Sequence, residues 1–427
     1  MMRSLFAGVS GLQTHQVRMD VIGHNIANVN TVGFKGSRAT FKEALSQTMR
    51  EASAGQGNRG GVSADQVGLG VTLGSIDVNH AEGGTESTSN ALDLAIQGTG
   101  FFILSDGGRN YYTRAGMFDV DGSGNFVSKV NGMKLQGYDV DPFGKVIDTG
   151  GHTQSLSISS DRRTISPQPT NTVEYGGNLS AFTDATVITD PDEDSQIRRV
   201  AMVYDSLGGS HRLVTTFTKT DANEWVWSVT LEDDVNQVEL GIGSAADRII
   251  SFKTDGTVDT GGIGQVTIPS SMLDPAEAAD LEFAVDFHSI RQFSESNSVI
   301  VRSQDGFPSG TLDSLFIDPT GTIVGSYSNG LTRNLAQVAV ARFENPPGLL
   351  KSSDTMFSES VNSGSAINGM AAGEGYGTIM SNALEMSNVD LGQEFTNMII
   401  TQRGFQANSR IITSSDEMLQ ELVNLKR

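Results

Sequence analysis

The sequence predicts an α+β multidomain protein, with a terminal α-helical coiled coil plus two mainly-β domains, the second inserted in the first. Three observations lead there. Apolar residues recur every seven positions at both ends of the chain: Leu5, Leu12, Met19 and Ile26 near the start, Leu391, Met398, Phe405, Ile412 and Leu419 near the finish. That is the spacing of a coiled-coil seam. Between residues 71 and 372 the apolar period drops to two, with Gly-, Asn- and Asp-rich turns at intervals of about eight to twelve residues, the pattern of β domains. The composition shifts near Gly150, and the character of residues 71–150 returns after residue 283, so one β domain interrupts the other and the two ends are brought together.

Residues 1–35 are expected to form the N-terminal helix and a motif that closes it. Val9 and Ile22 widen the apolar stripe. The run Asn28-Val-Asn-Thr31-Val-Gly33 ends the helix, because Asn and Gly tolerate left-handed backbone. Residues 36–70 read as a linker: Ala39–Arg50 has the makings of a short helix, and 52–70 is rich in Gly, Ser, Asn and Gln. Residues 71–150 supply the first part of the first β domain, with strands at Leu92–Ile96, Phe101–Leu104 and Tyr111–Thr113 and a tight hairpin at Asn131-Gly132. Residues 151–283 form the inserted domain. Its strands are Val200–Tyr204, Leu213–Thr218, Trp225–Leu231 and Ile249–Lys253, and Thr189–Asp194 is an acidic surface loop. Residues 284–372 complete the first domain, with Gly364–Gly377 as a soft joint, and 373–387 are a second linker. Residues 388–427 form the C-terminal helix. At about 35 residues it would span ~50 Å at ~1.5 Å per residue, too long for one globular core. The polar positions between the sevens are Gln, Asn, Ser, Thr and Arg, so one apolar face that needs a partner is expected.

The net charge of -21 is unevenly placed. Residues 1–50 hold six Lys/Arg against Asp20 and Glu43, residues 384–427 hold four basic and six acidic groups, and the middle carries about -23. Nucleic acid is a poor partner for so acidic a surface. No window approaches the ~18 uninterrupted apolar residues of a membrane span, and the N-terminal residues lack the pattern of a cleaved signal peptide. With zero cysteines, disulfides, thiolate metal sites and cysteine nucleophiles are excluded.

Little in the chain suggests chemistry. Asp119-Val-Asp121-Gly-Ser-Gly-Asn125 begins like a calcium loop, but Val130 stands where a bidentate Glu belongs and the flanks read as strands, so a β-turn is expected. The six histidines (His15, His24, His80, His152, His211, His288) show no metal spacing. Gly98-Thr-Gly100 precedes a strand rather than a helix, and no hydrolase or phosphate-loop motif occurs. We expect no cofactor, no metal and no enzyme activity.

The segment Asn25-Ile-Ala-Asn28-Val-Asn-Thr31-Val-Gly33-Phe34-Lys35 resembles the N-terminal signature of the flagellar axial proteins, the rod and hook subunits. Ser387-Asn-Val-Asp390 and Phe395–Arg410 are similar to the matching C-terminal signature. In the interior, Val203–Gly208 and Phe287–Phe293 are similar to the hook branch of that family rather than the rod branch. The resemblance spans the whole chain. It implies a helical homo-polymer, a bendable tube joining rod to filament, with the terminal helices innermost and the acidic inserted domain outermost. It also implies a distal rod protein, a hook cap protein and a hook–filament junction protein as neighbours. Export would pass through the flagellar type III apparatus to an extracellular location. Asn25, Asn28, Thr31, Gly33 and Phe34 would be motif residues and the nine seam residues assembly residues. Some members cross-link themselves through a cysteine-derived group, which zero cysteines exclude here. The alternatives are a distal rod subunit and a glycan-binding surface adhesin.

Overall fold

The computed structural model describes residues 2–55, 60–140, 153–185, 196–232, 241–242, 248–273 and 278–425. The Thr189–Asp194 loop and the residues on either side of the expected 150/151 boundary lie outside these residues. Residues 153–159, expected in the inserted domain, group with the first part of the chain, where Gln154–Ser155 pairs with Gln136–Gly137. The chain divides into two compact units. One comprises residues 1–159, 315–325 and 333–427, the other residues 160–314 and 326–332.

In the first unit, helix α1 spans Met2–Ala27 and helix α2 spans Leu391–Leu425. Asp390 starts α2 as an N-cap: its carboxylate accepts the backbone N–H of Gly392 at 2.8 Å and of Gln393 at 3.2 Å. The two helices pack antiparallel. A methyl group placed on Gly8 would meet Ile412 at 3.2 Å, one on Gly11 would meet the Asn408 amide at 2.6 Å, and one on Gly404 would meet the His15 ring at 2.7 Å.

The expected linker at 36–70 is instead β structure. Ser37–Glu43 pairs antiparallel with Val71–Val78, and Ser46–Arg50 pairs with Asp65–Gly68, so the short helix expected at Ala39–Arg50 is not present. Ser37-Arg-Ala-Thr-Phe alternates weakly, and its preference for strand is realised only by a partner some thirty residues on. Val71–Val78 therefore belongs with this pair rather than with the strands that follow it. The Gly364–Gly377 joint also contains a strand, Ile367–Met370, paired with Ala339–Arg342. The 373–387 linker holds two more: Thr378–Ser381 pairs with Leu94–Gln97, and Ala383–Glu385 pairs with Thr85–Ser87.

At the heart of this unit Phe101–Ser105 is flanked by Asn110–Thr113 and Lys134–Asp139, and it also meets Thr332–Arg342. Phe101, Ile103, Tyr112, Tyr138, Phe343 and Phe357 are buried together here. The Asn131-Gly132 turn is present, with Gly132 at φ +70° and Val127 paired to Lys134. The Asp119–Asn125 loop is a β-turn between strands Phe118–Val120 and Phe126–Ser128. The Asp121 carboxylate accepts the N–H groups of Ser123 and Asn125 and the Asn125 side-chain amide. Those donors hold the Asp121 carboxyl below its ordinary range.

The second unit has two five-stranded sheets around one core. One runs antiparallel through Gln196–Tyr204, Ser210–Asp221, Glu224–Leu231, Ile249–Phe252 and Val258–Thr260. The other has Leu281–Phe293 at its centre, antiparallel to Ile263–Ile268 and parallel to Thr172–Ser180. Residues 284–314, expected in the first domain, fall in this unit: Leu281–Phe293 is one continuous strand, and Ile300–Gln304 pairs with Thr172–Ser180. Strand Glu224–Leu231 buries every second residue, including Trp225 and Trp227. Trp227 packs on Phe287 at 5.0 Å and Tyr175 on Phe217 at 5.9 Å, joining the sheets, and the Tyr175 hydroxyl is 2.7 Å from the Thr215 hydroxyl. Ile250 is fully buried in this core. Ile250→Val should cost ~1 kcal/mol, seen as a lower denaturation midpoint of this unit at unchanged slope.

Candidate assembly site

The N-terminal motif and the segment before α2 fold onto each other. Asn25 is buried, and its side chain clasps the backbone of Ser37, donating to its carbonyl at 2.8 Å and accepting its N–H at 2.9 Å. The Asn25 amide also reaches Glu394 of α2 at 3.3 Å. Asn28 ends α1: its amide donates to the His24 carbonyl at 2.9 Å and its oxygen accepts the Thr31 hydroxyl at 3.1 Å. Gly33 takes φ +68° and donates its N–H to the Glu385 carbonyl at 2.7 Å. Phe34 is buried, with the His24 ring edge-on at 5.5 Å and the Lys351 ammonium over its face at 4.1 Å.

Directly beside this lies an ion-pair cluster that periodicity did not reveal. Lys35 Nζ is 2.5 Å from Glu385 Oε1, and Arg114 Nη1 is 3.2 Å from Glu385 Oε2. All three side chains are buried, at 0%, 5% and 1% exposure for Lys35, Arg114 and Glu385. Glu385 also accepts the Gly83 N–H at 3.0 Å. Lys35 donates to the Ala81 carbonyl at 2.7 Å, and Arg114 to the carbonyls of Ile96 and Gly98 at 3.2 and 2.8 Å. Burial pulls the Lys35 ammonium below its ordinary range, and its contact with Glu385 opposes that. Asn388 spans the same seam: it accepts the Gly36 N–H at 2.9 Å and donates to the carbonyls of Asn79 and Ala81 at 2.8 and 2.9 Å. Lys35 belongs to the resemblance motif, but Arg114 and Glu385 carry no one-dimensional mark.

The contact between the helices is not lined as the sevens suggest. Gly8, Gly11, Thr14 and Asn25 of α1 and Thr401 and Ser415 of α2 are buried. The line 394, 401, 408, 415 is Glu, Thr, Asn and Ser, so small and polar groups fill much of this seam. Glu394 is half-buried, and its desolvation raises its carboxyl above the usual range. Of the seam residues, Leu5, Leu12, Met19, Ile26, Met398, Ile412 and Leu419 are half-buried, while Leu391 and Phe405 are exposed. Further apolar side chains of the helices face outward: Phe6 at 66%, Phe395 at 51%, and Ile399 and Ile400 at 55% each. Where the helices meet strands Ser37–Glu43 and Val71–Val78, a groove of about 800 Å³ opens, lined by Arg18, Asn25, His80, Asn388 and Glu394 among others. Among the described residues no group of His, Cys, Asp and Glu is placed to hold a metal ion, and no helix is long and apolar enough to cross a membrane.

The chain matches four family models in sequence order. They are the flagella basal body rod protein model over residues 5–35, the flagellar hook protein FlgE/F/G D1 domain over 95–165, the flagellar basal body protein FlaE D2 domain over 177–307, and the flagellar basal body rod FlgEFG protein C-terminal model over 380–425. It is 40% identical over 446 residues to the flagellar hook protein FlgE of Borreliella burgdorferi and 37% identical over 466 residues to that of Treponema pallidum, with 100% of both chains covered in each case. Its fold is similar to the crystal structure of the Helicobacter pylori flagellar hook protein FlgE2, with a TM-score of 0.51 at 15% identity, covering 70% of this chain and 100% of that one.

Proposed function

The chain belongs to the flagellar hook protein family, and on that premise we propose that it polymerises through its two terminal helices into a hollow, bendable tube. It is a structural subunit of the flagellar hook, in a family that is not one of enzymes. The observation that carries the polymer reading is the dressing of α2. Its buried face toward α1 is largely small and polar, while Leu391, Phe395, Ile399, Ile400 and Phe405 stand exposed. Exposed apolar faces of this kind call for cover, and neighbouring copies supply it. Each apolar side chain so covered contributes about 1.5–3 kcal/mol gross to the contact between copies.

In this reading the helices of many copies form a coiled-coil inner wall around an export channel. The first β domain forms the next layer, and the domain inserted in it carries the excess acidic charge outward, where like charges stay solvated. The β domains act as rigid bodies while the tube bends and transmits torque from rod to filament. The distal rod protein, the hook cap protein and the hook–filament junction protein are its axial neighbours. The subunit reaches the cell exterior through the flagellar type III apparatus.

The test is polymerisation of the full-length chain followed by electron microscopy. Wild type is expected to form curved tubes. Phe405→Glu should abolish them while tryptophan fluorescence of the second unit stays native. Tubes of normal length from Phe405→Glu would refute the role of this face, and straight rigid tubes from wild type would point to a rod subunit.

A further inference from the structure

His80 occupies an unusual position beside the junction of the two motifs. It is half-buried, its ring packed against Phe357 at 5.1 Å and Phe101 at 5.7 Å, and neither ring nitrogen has a hydrogen-bond partner among the described residues. Its two chain neighbours form the clasp of the junction. The Asn79 and Ala81 carbonyls both accept from Asn388, and the Ala81 carbonyl also accepts from Lys35. A displacement of His80 therefore loosens at once the residue that holds the C-terminal segment and the residue that holds the N-terminal motif.

The charges around it leave no place for a third cation. Lys35 comes from the loop after α1 and Arg114 from the loop after Asn110–Thr113. Glu385, on Ala383–Glu385, is the carboxylate both cations share, with Gly83 N–H on it as well. Glu82, on the same loop as His80, is exposed. The groove that His80 helps to line is also lined by Arg18, Arg38, Asp77, Asp390 and Glu394. A proton on the ring would put a positive charge against two phenyl rings and close to two buried cations, with no acceptor for its N–H groups.

We infer that His80 is the trigger of an acid-operated latch, whose protonation frees the C-terminal segment from the N-terminal motif. Burial, with Lys35 and Arg114 adding to it, lowers the His80 pKa from 6.5 to about 4. A histidine depressed in the folded state favours folding while neutral. Its contribution is complete above the unfolded value of 6.5 and is lost as pH falls through 6.5 toward 4. Over that window the equilibrium between docked and released junction shifts by up to ~300-fold toward release. The inference concerns the single chain and does not depend on the polymer reading.

Hydrogen exchange of residues 383–390 in the full-length chain, followed from pH 7 to pH 4, tests it. The wild-type segment is expected to lose protection between about pH 6.5 and 4, whereas His80→Phe and His80→Gln keep it across that range. Variants that lose protection at the wild-type pH, or a wild-type segment that stays protected to pH 4, would overturn the inference. Ring titration of His80 by proton resonance in the wild type stands apart from any folding defect in the variants. A midpoint at the ordinary histidine value with the junction still protected would equally overturn it.

Discussion

Glu385→Ala should unfold the first unit at markedly lower denaturant or temperature while leaving the second unit in place. The carboxylate is the shared counter-charge of Lys35 and Arg114, and all three side chains are shielded from solvent. A buried pair adds modestly to stability as a whole, because desolvation opposes the attraction. Removing one partner is different, since it strands the other charge. Here it strands two, and it also takes the acceptor from the Gly83 N–H. A loss of ~3–5 kcal/mol is the expected scale. Glu385→Gln should lose less, because a side-chain oxygen remains to accept. The readouts separate cleanly. Both tryptophans of the chain lie in the core of the second unit, so their fluorescence follows that unit, whereas helical circular dichroism follows α1 and α2. An unchanged midpoint for the helical signal in Glu385→Ala would refute the assigned role.

Gly33→Val is expected to be nearly as damaging for a reason unrelated to charge. At φ +68° a β-branched residue is strained, and a Cβ here would lie 2.5 Å from the Ala115 nitrogen and 2.8 Å from its Cα. Both obstacles are backbone, so no side chain can turn aside. The chain would have to shift, and the bond from Gly33 N–H to the Glu385 carbonyl would go with it. Strain and overpacking together place the cost at roughly 2–4 kcal/mol. Gly23, which meets no atom within 4 Å, is the control: Gly23→Ala should be stabilising by ~1 kcal/mol through helix propensity. Equal thermal midpoints for Gly33→Val and wild type would contradict the packing described.

The features legible in the sequence are those with a local period. The alternation through Trp225 and Trp227 and the turns at Asn131-Gly132 and Asp119–Asn125 needed only neighbours along the chain, and both helices announced themselves by apolar sevens. Which face of each helix meets the other was not legible. The sevens trace Leu391, Met398 and Phe405, whereas the adjoining line through Thr401, Asn408 and Ser415 is polar and leaves no trace in a hydrophobic pattern. Strands Ser37–Glu43 and Ser46–Arg50 were hidden similarly, because their residues are half-buried or exposed and their partners lie at Val71–Val78 and Asp65–Gly68. The ion-pair cluster was least accessible of all. Lys35 and Glu385 are 350 positions apart, and nothing about a lone Glu in Ala383-Leu-Glu385 distinguishes it from a solvated one until the fold closes around it.

The inverted dressing of α2, with small and polar groups inward and Phe395, Ile399 and Ile400 outward, has a thermodynamic consequence. Contacts that cover those side chains remove apolar surface from water, so they carry a negative heat-capacity change and are driven near room temperature by solvent entropy. Such contacts weaken on cooling. Growth of the polymer should therefore quicken as a cold solution is warmed, and calorimetry of the association should show an enthalpy that falls steadily with temperature.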